Sequence, residues 1–214
     1  MLPAHENGVL PKRLTPKDAA SLVLVDRTDG APRILMGRRR ADLVFLANKY
    51  VFPGGRVDPR DKTRPAASEL SAATVASLLK GMRGRPSIPR ARALAIAAVR
   101  ELHEETGVAL GVEGPPMLAG LTYFARAITP PGRPRRYDTR FFLAEAGAAS
   151  LARLGGDGEL VDLAWLTLEQ ARLLDLPSIT RLIIEDVAGV LAGHGAGGIA
   201  FYYHRSGSLR RELL

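Results

Sequence analysis

The chain has 214 residues, 46% hydrophobic and 24% charged, with thirty lysines and arginines against twenty-two acids for a formal charge of +8. That length suits one sizeable domain with a real core, and the balance is globular rather than disordered. The absence of cysteine excludes disulfides, thiolate catalysis and sulfur-ligated zinc, and no run approaches the roughly 18–20 apolar residues of a membrane span.

The N-terminal stretch MLPAHENGVLPKRLTPKD lacks the apolar heart of a signal peptide, so a cytoplasmic protein without membrane contact is expected. AASLVLVDR (19–27) and PRILMGRRR (32–40) read as two strands joined by a turn at Thr28-Asp29-Gly30. A loop then ends in YVFPGGRVDPRD (50–61), where Pro53, Gly54 and Gly55 predict irregular backbone open to close approach. Residues 62–89 are a distinct block, with helical spacing over 68–82 closed by Gly84, Pro86 and Pro89, and a helix outside the shared core is expected there. Leu94, Ala95, Ala98, Val99 and Leu102 recur at three- and four-residue steps and predict a long helix over 90–106, with Gly107 as a left-handed cap. Strands are expected at 117–128, 138–146, 160–166 and 201–205, and helices at 168–175 and 178–192, the latter with Ser178 as N-cap. Without a repeat or strict alternation, this order predicts a mixed sheet flanked by helices in a single domain, 1–214.

The acids at the end of the long helix need explanation. Glu101 lies three and four residues from Glu104 and Glu105 on one face, and each like-charge pair costs roughly 0.2–0.5 kcal/mol. The helix dipole adds about 0.3–1 kcal/mol against charges in the last turn. Taken singly, such a segment is most often a solvated acidic face. A divalent cation would turn the repulsion to use, since hard cations take carboxylate oxygens.

Arg100-Glu101-Leu102-His103-Glu104-Glu105-Thr106-Gly107-Val108 resembles the second half of the Nudix box, R-E-aliphatic-x-E-E-x-G-aliphatic. Gly55 with Asp61, inside FPGG, resembles its first half, and Trp165 in LAWLTLEQA the late strand-to-helix step. The likeness runs over roughly residues 19–192 and identifies the chain as a Nudix hydrolase. Two departures stand out. Asp61 replaces the usual glutamate, and thirty-eight residues separate it from Arg100 where the usual box has seven. Loop closure tolerates such an insertion cheaply.

The resemblance implies an α+β fold, an α/β/α sandwich with a mixed central sheet. It implies attack by water on a diphosphate linked to another moiety, with Mg²⁺ or Mn²⁺ held by Glu101, Glu104, Glu105 and the Gly54 carbonyl, and Asp61 as a peripheral or indirect partner. Arg100 would orient a glutamate. The general base would be a box glutamate or one of the later acids, Asp157 or Glu159. The long insertion, with arginines ahead of FPGG, resembles coenzyme A diphosphatases. Arg39 matches their signature, whereas Arg40, Val44 and Asn48 depart from it. Arg38, Arg39, Arg40, Arg135 and Arg136 are candidates for substrate phosphate. ADP-ribose or another nucleoside diphosphate derivative is the alternative substrate, and a nucleotide-sensing regulatory domain the alternative class. A homodimer is left open, and nucleic acid is not an expected partner, since no nucleic-acid module is appended.

Other signals carry less. The five arginines of RAITPPGRPRRYDTR (126–140) suit either a solvated hairpin tip or a phosphate contact. GHGAGG (193–198) follows a helix, not a strand, and reads as a connection rather than a dinucleotide loop. The four histidines, at 5, 103, 194 and 204, show no ligand spacing, and His103 is expected to face solvent.

Overall fold

The computed structural model describes residues 14–28, 30–110, 114–147, 154–194 and 198–214. Its strands are β1 (Lys17–Asp26), β2 (Arg33–Arg39), β3 (Tyr50–Val51), β4 (Gly54–Arg56), β5 (Thr122–Ile128), β6 (Tyr137–Glu145), β7 (Leu160–Thr167), β8 (Ala200–Arg205) and β9 (Ser208–Leu213). Its helices are α1 (Ala72–Lys80), α2 (Ile88–Thr106), α3 (Leu168–Arg172) and α4 (Ser178–Leu191), with a 3₁₀ turn at Pro59–Lys62.

One sheet runs in the order β3-β2-β1-β6-β5-β8-β9, with β4 on β1 and β7 on β2. The β1–β6 and β5–β8 pairs are parallel and the rest antiparallel, so the sheet is mixed. The alternation of β1 divides the core. Ala20, Leu22 and Leu24 face α1 and α2, whereas Val23 and Val25 face α3 and α4. On the second side α4 buries Thr180, Ile183, Ile184 and Val187, the spacing of one helical face. Three layers result, the α+β sandwich expected from the sequence. No helix is long and apolar enough to cross a membrane among the described residues.

α2 ends where the sequence predicts and begins two residues earlier, at Ile88. The Ser87 hydroxyl accepts the Arg90 N–H at its start, and Gly107, at φ 74°, caps its end with an N–H to the His103 carbonyl. Six expectations change. Gly54-Gly55-Arg56 is a strand: its backbone pairs with Ser21, Ala20 and Ala19. A Cβ on Gly54 would collide with Ala20 O and Ser21, so missing side chains are what admit this strand. The N-cap of α4 is Pro177, without a side-chain bond, and Ser178 is its first helical residue. The strand read over 117–128 begins at Thr122, and the helix read over 168–175 ends at Arg172. The C-terminal strand gains a partner, β9, that the sequence reading lacks.

The sixth change concerns the insertion. It forms a helix, but Leu70, Leu78 and Met82 enter the same core cluster as Leu94, Ala98 and Leu102. Arg92 ties it down through Glu69 at 3.0 Å and the Arg64 carbonyl at 2.7 Å. It belongs to the core rather than lying outside it. Asp29 of the first turn, His5, and Gly195 to Gly197 of the glycine-rich connection lie outside the described residues.

Candidate active site

Each of the last two turns of α2 presents an acid to a different neighbour. Arg100 is the hub. Its Nη1 donates to Glu101 Oε1 at 2.7 Å and Glu104 Oε2 at 2.8 Å, while Nε and Nη2 fork onto Asp61 at 3.0 and 3.1 Å. Nη2 also reaches the Arg56 carbonyl at 3.0 Å. Burial alone would make this guanidinium easier to deprotonate, but the Asp61 hydrogen bond and Glu101 more than reverse that and raise its pKa.

Asp61 is 1% exposed. Both its oxygens are engaged, by Arg100 and by the Asp58 N–H at 2.8 Å, in a reciprocal cap of the 3₁₀ turn. The structure therefore places Asp61 behind Arg100. A Cβ on Gly55 would overlap the Glu101 carboxylate, which explains why this loop needs glycine twice: Gly54 against β1 and Gly55 against α2.

Glu105 is 1% exposed. The Gly54 N–H donates to its Oε2 at 2.8 Å, and its Oε1 is buried without a partner. Burial pushes its pKa up to about 8, partly opposed by the Gly54 N–H and reinforced by the negative charges of Glu101 and Glu159. Burial also raises the pKa of Glu101, which Arg100 offsets in part. Glu104 is half-exposed, and His103 faces solvent as expected.

The loop before β7 docks on this helix end. The Gly155 N–H donates to Thr106 O at 2.9 Å and the Asp157 N–H to Glu104 O at 2.8 Å. A Cβ on Gly107 would strike Gly155 O, and one on Gly156 would strike Glu105 O. This close approach carries Glu159 toward the box acids. Glu159 Oε1 accepts from Arg39 Nη2 at 2.8 Å, and Arg39 Nε donates to Phe45 O at 2.9 Å. Asp157 turns back on its own loop, where its Oδ1 accepts the Glu159 N–H at 2.8 Å.

A cleft of about 780 Å³ opens beside this helix end, lined by Glu101 and Glu159 but not by Glu104, Glu105 or Asp157. Gly54, Gly55, Arg56, Glu101, Glu159 and Arg39 line one end, and Tyr202, His204 and Leu209 the other. The 44–46 loop and the β5–β6 hairpin tip form walls, where Phe45 meets Tyr137 edge-to-face at 5.5 Å. The sequence reading passed over His204, whose alternating position on β8 points it into this cleft.

The structure does not bring all the proposed arginines together. Arg39, Arg133 and Arg135 line the cleft, whereas Arg38, Arg40 and Arg136 do not. Arg38 is held by Asp162, a positive-φ residue at the β2–β7 bulge, and Arg40 by Asp42 at 2.5 Å. Arg136 donates to Thr129 O and Leu14 O. Arg133 is exposed on the hairpin beside Arg135.

A family model for the NUDIX domain matches residues 89–187, which holds α2 and its acidic end. That span resembles a Nudix domain. Its sheet and helices resemble a NUDIX hydrolase from Alicyclobacillus acidocaldarius, at 25% identity and TM-score 0.63 over 81% of this chain and 92% of that one. The NUDIX domain of Shewanella oneidensis NrtR, solved with ADP ribose, shares the fold at 14% identity and TM-score 0.53, over 83% and 90%. A C. elegans Ap4A hydrolase does so at 16% and 0.53, over 83% and 98%. None of the curated proteins matches the chain. With the box acids assembled on α2, the chain is similar to Nudix diphosphohydrolases.

The donor set fits a hard divalent cation. It is all oxygen, and Glu105 Oε1 is a buried acceptor with nothing to accept. Glu101 Oε2 and Glu104 Oε1 have no protein donor among the described residues, although no three acids there converge into a ready-made cage.

Proposed function

We propose that this Nudix domain hydrolyses the diphosphate bridge of a nucleotide-derived substrate carrying an additional phosphate, with coenzyme A and its thioesters as the first candidates. The observation that carries this reading is the division of the cleft. Carboxylates gather at one end, and the hairpin wall presents Arg133 and Arg135, neither of which makes a hydrogen bond or ion pair among the described residues. Arg38 and Arg40 are already neutralised, so the hairpin pair is the better candidate for an extra phosphate.

Glu101, Glu104 and Glu105, with the Gly54 carbonyl, would hold Mg²⁺ or Mn²⁺, which supplies charge neutralisation at the phosphates and a more acidic bound water. Arg100 keeps the first two glutamates in place. Glu159 is the later-loop acid that lines the cleft and is therefore preferred to Asp157 as the base taking a proton from the attacking water. Arg39 orients that carboxylate. Cleavage of coenzyme A would release a phosphopantetheine fragment and an adenosine bisphosphate.

ADP-ribose is the second reading, favoured by the fold shared with a domain solved with that ligand. Catalytic efficiencies on coenzyme A, dephospho-coenzyme A and ADP-ribose with Mg²⁺ or Mn²⁺ separate the two. A charge-assisted contact to the extra phosphate makes dephospho-coenzyme A roughly ten- to hundred-fold poorer, an advantage that Arg133→Ala with Arg135→Ala abolishes. Equal or better turnover of ADP-ribose overturns the coenzyme A assignment.

A further inference from the structure

Among the described residues, no strand covers the outer edge of β9. All six of its residues are exposed, including Leu209 at 45% and Leu213 at 54%. Such an edge is a template for another strand. Its hydrogen-bonding phase follows from β8. Ile199 and Leu214 exchange both backbone hydrogen bonds, and the register then runs unbroken to Arg205 opposite Ser208. Bonded pairs alternate along an antiparallel ladder. The N–H and C=O groups of Ser208, Arg210 and Glu212 therefore turn toward β8, and those of Leu209, Arg211 and Leu213 point outward.

We propose that this edge joins two copies of the chain, β9 against β9, antiparallel about a twofold axis at Arg211. Three requirements select that register. Outward backbone groups must meet outward groups, side chains on one face must meet the same face, and the pairs must be compatible. Centring on Arg211 sets Leu209 opposite Leu213 of the partner subunit, and Arg210 opposite Glu212 of the partner subunit, each twice by symmetry. Centring on Arg210 or Glu212 sets that residue against its own like charge, and an axis between two residues meets the edge out of phase. Centring on Leu209 or Leu213 leaves part of the strand unpaired. The two Arg211 side chains at the axis are drawn back within each copy, by Asp186 at 3.1 Å and the Tyr202 hydroxyl at 3.1 Å.

The interface would also bear on the cleft. Leu209 lines its far end, so Leu213 of the partner subunit, set opposite, would extend that apolar wall.

Sedimentation equilibrium tests the proposal, with an expected mass of twice the 23.0 kDa chain. Arg210→Glu and Glu212→Arg should each weaken the dimer about tenfold or more, since each opposes like charges at two places. The double variant should dimerise again. Mixing the two single variants should also restore a dimer, because each offers the charge that the other lacks. Amide exchange of the unmodified protein gives a reading independent of any variant: Leu209, Arg211 and Leu213 should gain protection as concentration rises, while Arg210 and Glu212 are protected throughout. A monomer at about 100 µM, where even a micromolar complex is assembled, overturns the proposal. So do single swaps that leave the dimer unweakened, or outward amides that stay unprotected.

Discussion

In the metal-free protein, Glu105→Gln should gain stability relative to the wild type as pH rises. The Glu105 carboxyl is 1% exposed, and its pKa is lifted from 4.5 to about 8, chiefly by burial. A folded-state pKa above the unfolded one means that the folded chain holds a proton which the unfolded chain releases. The resulting stability is complete below about pH 4.5 and is lost as pH climbs through about 8. A gap of about 3.5 pH units at about 1.36 kcal/mol each sets a ceiling near 5 kcal/mol. Relaxation and water entry reduce this to about 2–3 kcal/mol, which for a chain of this length is roughly 4–12 °C in Tm. Glutamine keeps an oxygen for the Gly54 N–H and carries no charge. Its amide inherits the unpartnered site of Oε1, at a pH-independent cost of about 1–3 kcal/mol. The test therefore lies in the slope. Thermal melts in chelator from pH 5 to pH 9 should fall for the wild type and stay nearly flat for the variant. Mn²⁺ or Mg²⁺ should lift only the wild type at pH 8, with turnover lost in the variant throughout. Parallel curves would refute the buried-acid account.

Arg100→Ala should lower turnover far more than substrate affinity, because Glu101 and Glu104 lose their shared donor. It should also cost about 3–5 kcal/mol in urea unfolding, since it strands the buried Asp61 carboxylate; a selective rise in substrate dissociation constant would instead place Arg100 on the substrate. Leu78→Ala, in the insertion at 1% exposure, should cost about 2–5 kcal/mol. A loss near zero would return the insertion to the periphery.

Much of the site was legible because the box is local. Periodicity over 90–106 and one glycine after it place three glutamates on a capped helix without knowledge of anything else. What pairs with them was not legible in the same way. Arg39 and Glu159 are 120 positions apart and meet only because β2 and β7 are neighbours. Composition shows arginines at 38–40 and 133–136 alike. Only the fold shows that Asp162 and Asp42 have taken two of them while the hairpin keeps two free. β4 was hidden for a related reason. Glycine has no strand preference of its own, and the strand exists because two bare residues fit where β1 and α2 approach. β9 reads as a polar tail until β8 supplies its register.

The concentration of acid at a helix end, costly on local grounds, is balanced from three directions. Donors from the loop before β7 satisfy carbonyls of the last turn, and Gly107 satisfies another, so the negative pole of α2 is partly quenched. One guanidinium serves Asp61, Glu101 and Glu104, which leaves two negative charges unanswered. Burial keeps Glu105 largely protonated at neutral pH, so it adds little to that count until something compensates its charge. A divalent cation would supply the missing charge and make ionising Glu105 favourable, so its binding should release a proton. Without such a cation, the same arrangement would be a pure cost to the fold. That asymmetry is a stronger argument for a metal site than any single carboxylate, because it depends on how the acids share their partners.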